Sequence, residues 1–138
     1  MLLAAGSVLT LSACREAPKQ TEASAAPAAA PGDPESLYRA NCSRCHLPDG
    51  AGVAGMAPAL EDSEAVKADD PGELIRVVLW GQGGKAIRGQ HYPSRMPGFS
   101  ELLKDDEIAA VVNHTRKKWG SNARQVTAAD VQRERQKP

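Results

Sequence analysis

The residues best suited to chemistry lie in the stretch Asn41-Cys42-Ser43-Arg44-Cys45-His46, in which two residues separate the cysteines and a histidine follows the second. Thiols at this spacing can add to the two vinyl groups of a haem, and the adjacent imidazole can then bind the iron. The pattern therefore predicts one covalently bound haem c, with thioether bonds from Cys42 and Cys45 and with His46 as the proximal iron ligand.

Thioredoxin-like redox sites and zinc sites also use a Cys-x-x-Cys pair. A zinc site requires a second ligand pair, but the remaining cysteine, Cys14, belongs to a different segment of the chain. A thioredoxin-like site requires a βαβ context, which the flanking residues do not show. Haem attachment is favoured over both. It also agrees with the composition, because two Trp, two Tyr and one Phe would make a small core on their own.

The overall composition limits the other classes of function. A chain of 138 residues is long enough for one domain with tails. It contains 17 Lys plus Arg and 17 Asp plus Glu, so its formal net charge is zero. Without an excess of positive charge, binding to nucleic acid is not indicated.

Residues 1–14 have the pattern of a targeting segment. Their apolar run is too short to span a bilayer as a mature helix, and it ends in Leu11-Ser12-Ala13-Cys14. This ending resembles the lipobox of bacterial lipoproteins, which implies a lipid on Cys14 and a periplasmic, membrane-anchored location. The alternative is an ordinary cleaved signal peptide in which Cys14 has no role.

The rest of the chain divides into three parts. Residues 15–33 are rich in Ala and Pro without an apolar period, which predicts a flexible tether with a reach of roughly 24 Å. Residues 34–120 are predicted to form the folded domain. Residues 121–138 form a tail in which Thr127-Ala128-Ala129-Asp130 resembles a capping box and predicts a short helix.

Helical patterns account for the predicted domain. Asp33 and Pro34 are favourable starting residues for a first helix, which leads the chain into the Cys-x-x-Cys-His motif. Asp70-Pro71 precedes an apolar helix that runs to Trp80 and ends at a glycine-rich stretch. Residues 105–119 carry acidic residues in the first turn and basic residues in the last, and Gly120 follows as a stop signal. The fold class is therefore predicted to be all-α.

The order of these motifs resembles the class I, mitochondrial-type, bacterial cytochromes c. The resemblance rests on Cys42–His46, the glycine-rich loop after it, Pro58-Ala59-Leu60 and the later Met96-Pro97. It implies three to four core helices around the haem, with the first and last helices crossing and a short extra C-terminal helix. It also implies that the Pro58 carbonyl accepts a hydrogen bond from His46, that Leu60 packs on the haem, and that Met96 is the distal iron ligand.

Other residues could take the distal position. His91 lies five residues before Met96 and would give bis-histidine ligation at a lower potential, whereas a thioether ligand raises the potential. Met56 follows His46 closely, in a loop that lies on the proximal side in this family. His114 lies inside a predicted helix and is interpreted as a surface or packing residue.

The resemblance implies an electron carrier rather than an enzyme. Its tail is similar to those of cytochrome c domains that serve bacterial dehydrogenases, so the expected donor is a periplasmic dehydrogenase and the expected acceptor a terminal oxidase or another cytochrome. Three alternatives stay open: a fixed haem subunit of a dehydrogenase, a peroxidase-type or nitrite-type haem catalyst with an open sixth site, and a haem sensor or structural lipoprotein.

Positive charges precede the predicted distal ligand. Between residues 74 and 100 the charged side chains are all basic, and they are Arg76, Lys85, Arg88 and Arg95. We expect them to surround the haem edge, where a redox partner would dock. The alternative is an ordinary solvated surface.

Overall fold

The computed structural model describes residues 32–84, 86–120 and 124–137, which are mostly helical. Cys14, residues 15–31 of the predicted tether and Lys85 lie outside the described residues. The helices, in chain order, are α1 (Pro34–Asn41), α2 (Ser43–His46), α3 (Glu64–Lys67), α4 (Gly72–Trp80), α5 (Asp105–Trp119) and α6 (Ala128–Arg135). A 3-10 turn at Leu60–Asp62 and an antiparallel hairpin of β1 (Ala86–Ile87) and β2 (Gln90–His91) complete the order.

The helix ends confirm the predicted starts and stops. The backbone N–H of Ser36 donates to the Asp33 carboxylate at 2.9 Å, and Pro34 opens α1. α4 begins directly after Pro71 and ends at Gly81, whose φ is 77°. The all-α class is confirmed, and none of the helices in the described ranges is long and apolar enough to cross a membrane.

Gly120 ends α5 as predicted, but for a different reason. Its φ is −132°, so the left-handed conformation that favours glycine is not used. A Cβ at this position would instead collide with the carbonyl oxygen of Val66 in α3. The glycine is therefore required by the close approach of α3 to the end of α5.

The first and last helices of the predicted domain cross at Tyr38. The side chain of Tyr38 is buried, and its ring centroid lies 5.4 Å from that of His114 and 5.1 Å from that of Trp119, both on α5. This crossing confirms the expected packing of α1 on α5. Much of the remaining core comes from α4 and α5, where Ile75, Leu79, Ile108 and Val112 are fully buried.

The C-terminal helix is part of this core. Both hydrogen bonds of the predicted capping box are present, since the Thr127 N–H donates to Asp130 at 2.8 Å and the Asp130 N–H donates to Thr127 Oγ1 at 3.3 Å. Val131 is fully buried in contact with the main core cluster. The sequence pattern predicts the helix but not this burial.

Ion pairs hold α6 against the helices beneath it. Glu134 pairs with Arg76 of α4 at 2.7 Å, and Arg135 pairs with Asp105 of α5 at 2.8 Å. Glu134 is almost completely buried, so its partners replace the water that its carboxylate loses. α6 thus spans the start of α5 and one face of α4.

The carboxylate of Asp130 is expected to stabilise the packing of the C-terminal tail on the domain. Hydrogen bonds from the Thr127 backbone and from Arg124 keep the pKa of this buried carboxyl far below its usual range. Its stabilising effect is therefore present above the unfolded pKa of about 3.9 and is lost as the pH falls through the folded pKa. We expect Asp130→Asn to lower the free energy of unfolding at pH 7 by about 1–3 kcal/mol.

Urea unfolding of the holoprotein at pH 7 and at pH 2 measures this effect. The deficit of Asp130→Asn should shrink at pH 2, while Glu61→Gln, which removes an exposed carboxylate, should leave stability near that of the native chain. An equal deficit at both pH values would show that the charge of Asp130 does not stabilise the fold.

Candidate haem-binding site

A cavity of about 640 Å³ opens between α1, α4, α5 and the loops that join them. Its size lies within the range of about 300–1,000 Å³ that is typical of cofactor sites. Every predicted haem-site residue contributes to its lining: Cys42, Cys45, His46, Pro58, Leu60 and Met96. The walls are mainly apolar and include Val66, Leu74, Val77, Val78, Phe99, Val111 and Val112.

The motif enters the cavity on a single helical turn. The N–H groups of Cys45 and His46 both donate to the Cys42 carbonyl, at 3.1 and 3.0 Å. Both cysteines are half-buried free thiols. Burial raises the pKa of the Cys42 thiol to about 11, whereas a reactive redox cysteine has a lowered pKa. This shift, together with the absence of a βαβ unit from the described residues, speaks against a thioredoxin-like site.

The hydrogen bond of His46 determines which of its ring nitrogens can bind a metal. Its Nδ1 lies 3.1 Å from the Pro58 carbonyl oxygen, so the expected hydrogen bond is present. A carbonyl can only accept, so Nδ1 must carry the proton, and the neutral ring then has its lone pair on Nε2. Burial lowers the pKa of His46, which favours this neutral form. The imidazole is therefore prepared to bind a metal through Nε2.

The glycine-rich loop brings Pro58 to His46. Gly50 and Gly52 both have positive φ, at 77° and 72°. The Gly52 N–H donates to the His46 carbonyl at 3.0 Å, and a Cβ on Gly52 would lie 2.6 Å from the Pro58 carbonyl oxygen. The loop can fold back this tightly only with glycine at that position.

Met96 is held by the end of α4. Its backbone forms two hydrogen bonds with Gln82, at 2.8 and 3.1 Å. Gly81 permits this pairing, because a Cβ there would collide with the Met96 carbonyl oxygen. The Phe99 N–H then donates to the Val78 carbonyl at 3.0 Å. These hydrogen bonds hold the segment around Met96 against the end of α4. The methionine side chain is half-buried at the cavity wall.

The candidate distal ligands differ in their position relative to the cavity. His91 is exposed on β2 and does not line the cavity, and His114 packs against Tyr38 and Trp119 outside it. The interpretation of His114 as a surface or packing residue agrees with these ring contacts. Met56 lines the cavity but remains 45% exposed, whereas Met96 packs against the hydrophobic core.

The expected positive surface is only partly present. Arg95 lines the cavity, but Arg76 is directed to Glu134 of α6, so the expectation is wrong for Arg76. Arg88 forms a 2.6 Å ion pair with Asp62. Arg44, which lies outside the predicted basic stretch, also lines the cavity. Its position between the two motif cysteines is the signal that would have found it.

These features fit a haem better than an isolated metal ion. The described residues hold no group of three His, Cys, Asp or Glu side chains that could form a zinc site. The cavity instead combines apolar walls, two thiols, an imidazole with a free Nε2 and a thioether from a separate segment. A flat apolar macrocycle with reactive vinyl groups and an iron matches this set of donors.

Comparison with known proteins supports the same class. The profile of the family described as Cytochrome c matches residues 34–119. The chain belongs to the cytochrome c family and has the class I fold, and this family carries covalently bound haem c. The matched range contains the whole of the cavity lining among the described residues.

Several relatives are similar to parts of the chain. The cytochrome c subunit of a quinone alcohol dehydrogenase from Gluconobacter oxydans is 42% identical over 70% of this chain and 20% of its own length. The cytochrome c subunit of gluconate 2-dehydrogenase from Pantoea cypripedii is 36% identical over 70% of this chain and 22% of its own. Cytochrome c-552 of Thermus thermophilus is 40% identical over 64% of this chain and 69% of its own. The chain therefore spans about a fifth of the two dehydrogenase subunits.

Proposed function

We propose that this protein is an electron carrier with one haem c, held by thioethers from Cys42 and Cys45 and ligated by His46 and Met96. The observation that carries the proposal is the convergence of these four side chains on one apolar cavity. Pro58 and Leu60 support the proximal side, since the first accepts the His46 hydrogen bond and the second is buried at the cavity wall.

When bound, the haem supplies an iron that takes one electron from a donor and passes it to an acceptor, with no transfer of atoms. The Pro58 carbonyl fixes the His46 tautomer and increases the basicity of Nε2. The Met96 thioether is a weak ligand that favours ferrous iron and raises the potential. If His46 and Met96 both bind the iron, they would leave it without a coordination site for a substrate.

The cavity lining favours a carrier over a haem catalyst. Haem catalysis of the peroxidase type needs a group near the iron that can move protons. The described residues that line the cavity include no Asp, Glu or Lys and no histidine besides His46. Two tyrosines, Tyr38 and Tyr92, also line it, and the Tyr38 hydroxyl is already engaged, because it donates to the Leu47 carbonyl at 2.7 Å.

The relatives suggest the kind of donor. The named dehydrogenase subunits are cytochrome c subunits, which fits a periplasmic dehydrogenase as donor and a terminal oxidase or another cytochrome as acceptor. The same likeness favours a second candidate, a haem subunit fixed in a dehydrogenase complex. In both cases the electron passes through the same cavity, and Arg44 and Arg95 provide positive charge at its edge.

Replacement of Met96 tests the ligand assignment. We expect Met96→Ala to lower the reduction potential by on the order of 0.1–0.3 V, within the roughly 0.8 V range that axial ligands span. The sulfur–iron absorption near the red end of the ferric spectrum should disappear as well. Potentiometry and absorption spectra measure both effects, with Met56→Ala as the matched control. If Met96→Ala keeps the native spectrum while His91→Ala loses it, His91 is the ligand.

The charges at the cavity edge should steer redox partners. We expect Arg44→Gln with Arg95→Gln to slow oxidation of the ferrous protein by the anion ferricyanide about 3–10-fold at low ionic strength. Oxidation by cationic cobalt phenanthroline should become faster. Stopped-flow measurements across a salt series check this, with Arg39→Gln as an exposed control away from the cavity. Equal salt dependence in all variants would assign both arginines to ordinary surface.

We also propose that Cys14 carries a lipid and that residues 15–33 tether the domain to the periplasmic side of a membrane. We expect Cys14→Ser to move the holoprotein from the membrane fraction to the soluble fraction, because the two acyl chains of the anchor are lost. Fractionation with detection of covalent haem measures this. A native protein that is already soluble would contradict the anchor and favour an ordinary cleaved signal peptide.

A further inference from the structure

The turn that follows His46 is held by three side chains from the crossing helices. Tyr38 of α1 donates its hydroxyl to the Leu47 carbonyl at 2.7 Å. Lys118 of α5 donates to the Pro48 carbonyl at 3.2 Å, and Trp119 Nε1–H donates to the Asp49 carbonyl at 2.7 Å. Three consecutive backbone carbonyls thus each accept a hydrogen bond from a different side chain.

The three donors form one unit, which we call the α1–α5 clamp (Tyr38, Lys118 and Trp119). The Tyr38 and Trp119 rings lie 5.1 Å apart, and the Lys118 ammonium group lies 4.8 Å from the centroid of the Trp119 ring. Trp119 also contacts Gly50, where a Cβ would lie only 2.6 Å from Nε1 of the indole. The clamp therefore acts on the turn through both hydrogen bonds and close packing.

The turn is connected to the hydrogen-bond partner of His46. The Gly50 carbonyl accepts the Leu60 N–H at 2.8 Å, and Leu60 lies two residues after Pro58. Gly52 packs against the Pro58 carbonyl, which accepts the His46 Nδ1–H at 3.1 Å. A shift of the turn would therefore be transmitted to the distance between the Pro58 carbonyl and His46.

We propose that Trp119 is a positioning residue that fixes the Pro58–His46 hydrogen bond through the Asp49–Gly50 turn and so holds down the reduction potential. The inference rests on the proposed ligation by His46. A strong hydrogen bond from Nδ1 makes the imidazole a better electron donor, which favours ferric iron. Loosening the turn weakens that bond and favours ferrous iron, so the potential should rise.

Trp119→Phe removes the indole N–H while keeping an aromatic ring against Gly50. We expect a positive shift of the reduction potential and an upfield shift of the His46 Nδ1 proton in the NMR spectrum of the ferrous protein. Tyr38→Phe, which removes a second donor, should shift both quantities in the same direction. Lys118→Met removes the third donor and also a positive charge, so its readout is the upfield shift of the Nδ1 proton alone. Trp80→Phe is the matched control, because Trp80 is 52% exposed at the end of α4.

A merely structural role for Trp119 would give a different result. In that case Trp119→Phe would lower the unfolding midpoint but keep the potential and the Nδ1 proton shift of the native protein, which would overturn the proposal. The Nδ1 proton reports on the proximal side whichever residue binds the distal side. A wrong assignment of Met96 would therefore appear in the Met96→Ala spectrum and leave this test unaffected.

Discussion

The fold depends on the packing of apolar walls around a central cavity. Val66, Val78 and Val112 come from three different helices, and each is buried while also contributing to the cavity lining. Other apolar lining residues, Val77, Ile87 and Met96, are only partly buried. Apolar surface contributes about 25 cal/mol per Å² when it is removed from water, so these residues contribute fully to stability only when an apolar group covers them. The bound macrocycle of this family is therefore a structural component as well as a redox cofactor. This explains how a chain with so few aromatic residues can have a stable core.

Local signals account for the part of the fold that could be predicted. The Asp33–Pro34 start and the acidic first turn of α5 depend on neighbouring residues alone, and the structure shows both. The burial of Val131 could not be predicted in the same way, because it depends on contacts with residues far away in the chain. The direction of Arg76 toward Glu134 has the same origin, since 58 residues separate the partners. Short elements such as α2 and α3 carry too little periodicity to be recognised.

The candidate site also combines residues whose role could be predicted from the sequence with residues whose role depends on distant contacts. The Cys42–His46 motif could be read directly because its chemistry requires contiguous residues. The family resemblance already implied Met96 as the distal ligand, and the structure adds that His91 lies on an exposed hairpin whereas Met96 lies at the cavity wall. The roles of Gly81 and Gly120 could not be predicted from neighbouring residues, since each avoids a collision with a backbone segment distant in sequence.

The crossing of α1 and α5 has a consequence for how such a domain is built into larger proteins. The segment that matches the family begins in α1 and finishes with α5, so its two ends belong to helices packed against each other. A unit with this layout can be inserted into a longer polypeptide, or repeated along it, without opening its core, provided that α6 goes with it, since Val131 is buried in the same core. The dehydrogenase subunits that resemble the chain over a fifth of their length are consistent with such modular use. The helix pair that forms part of the cavity wall therefore also carries both ends of the matched segment.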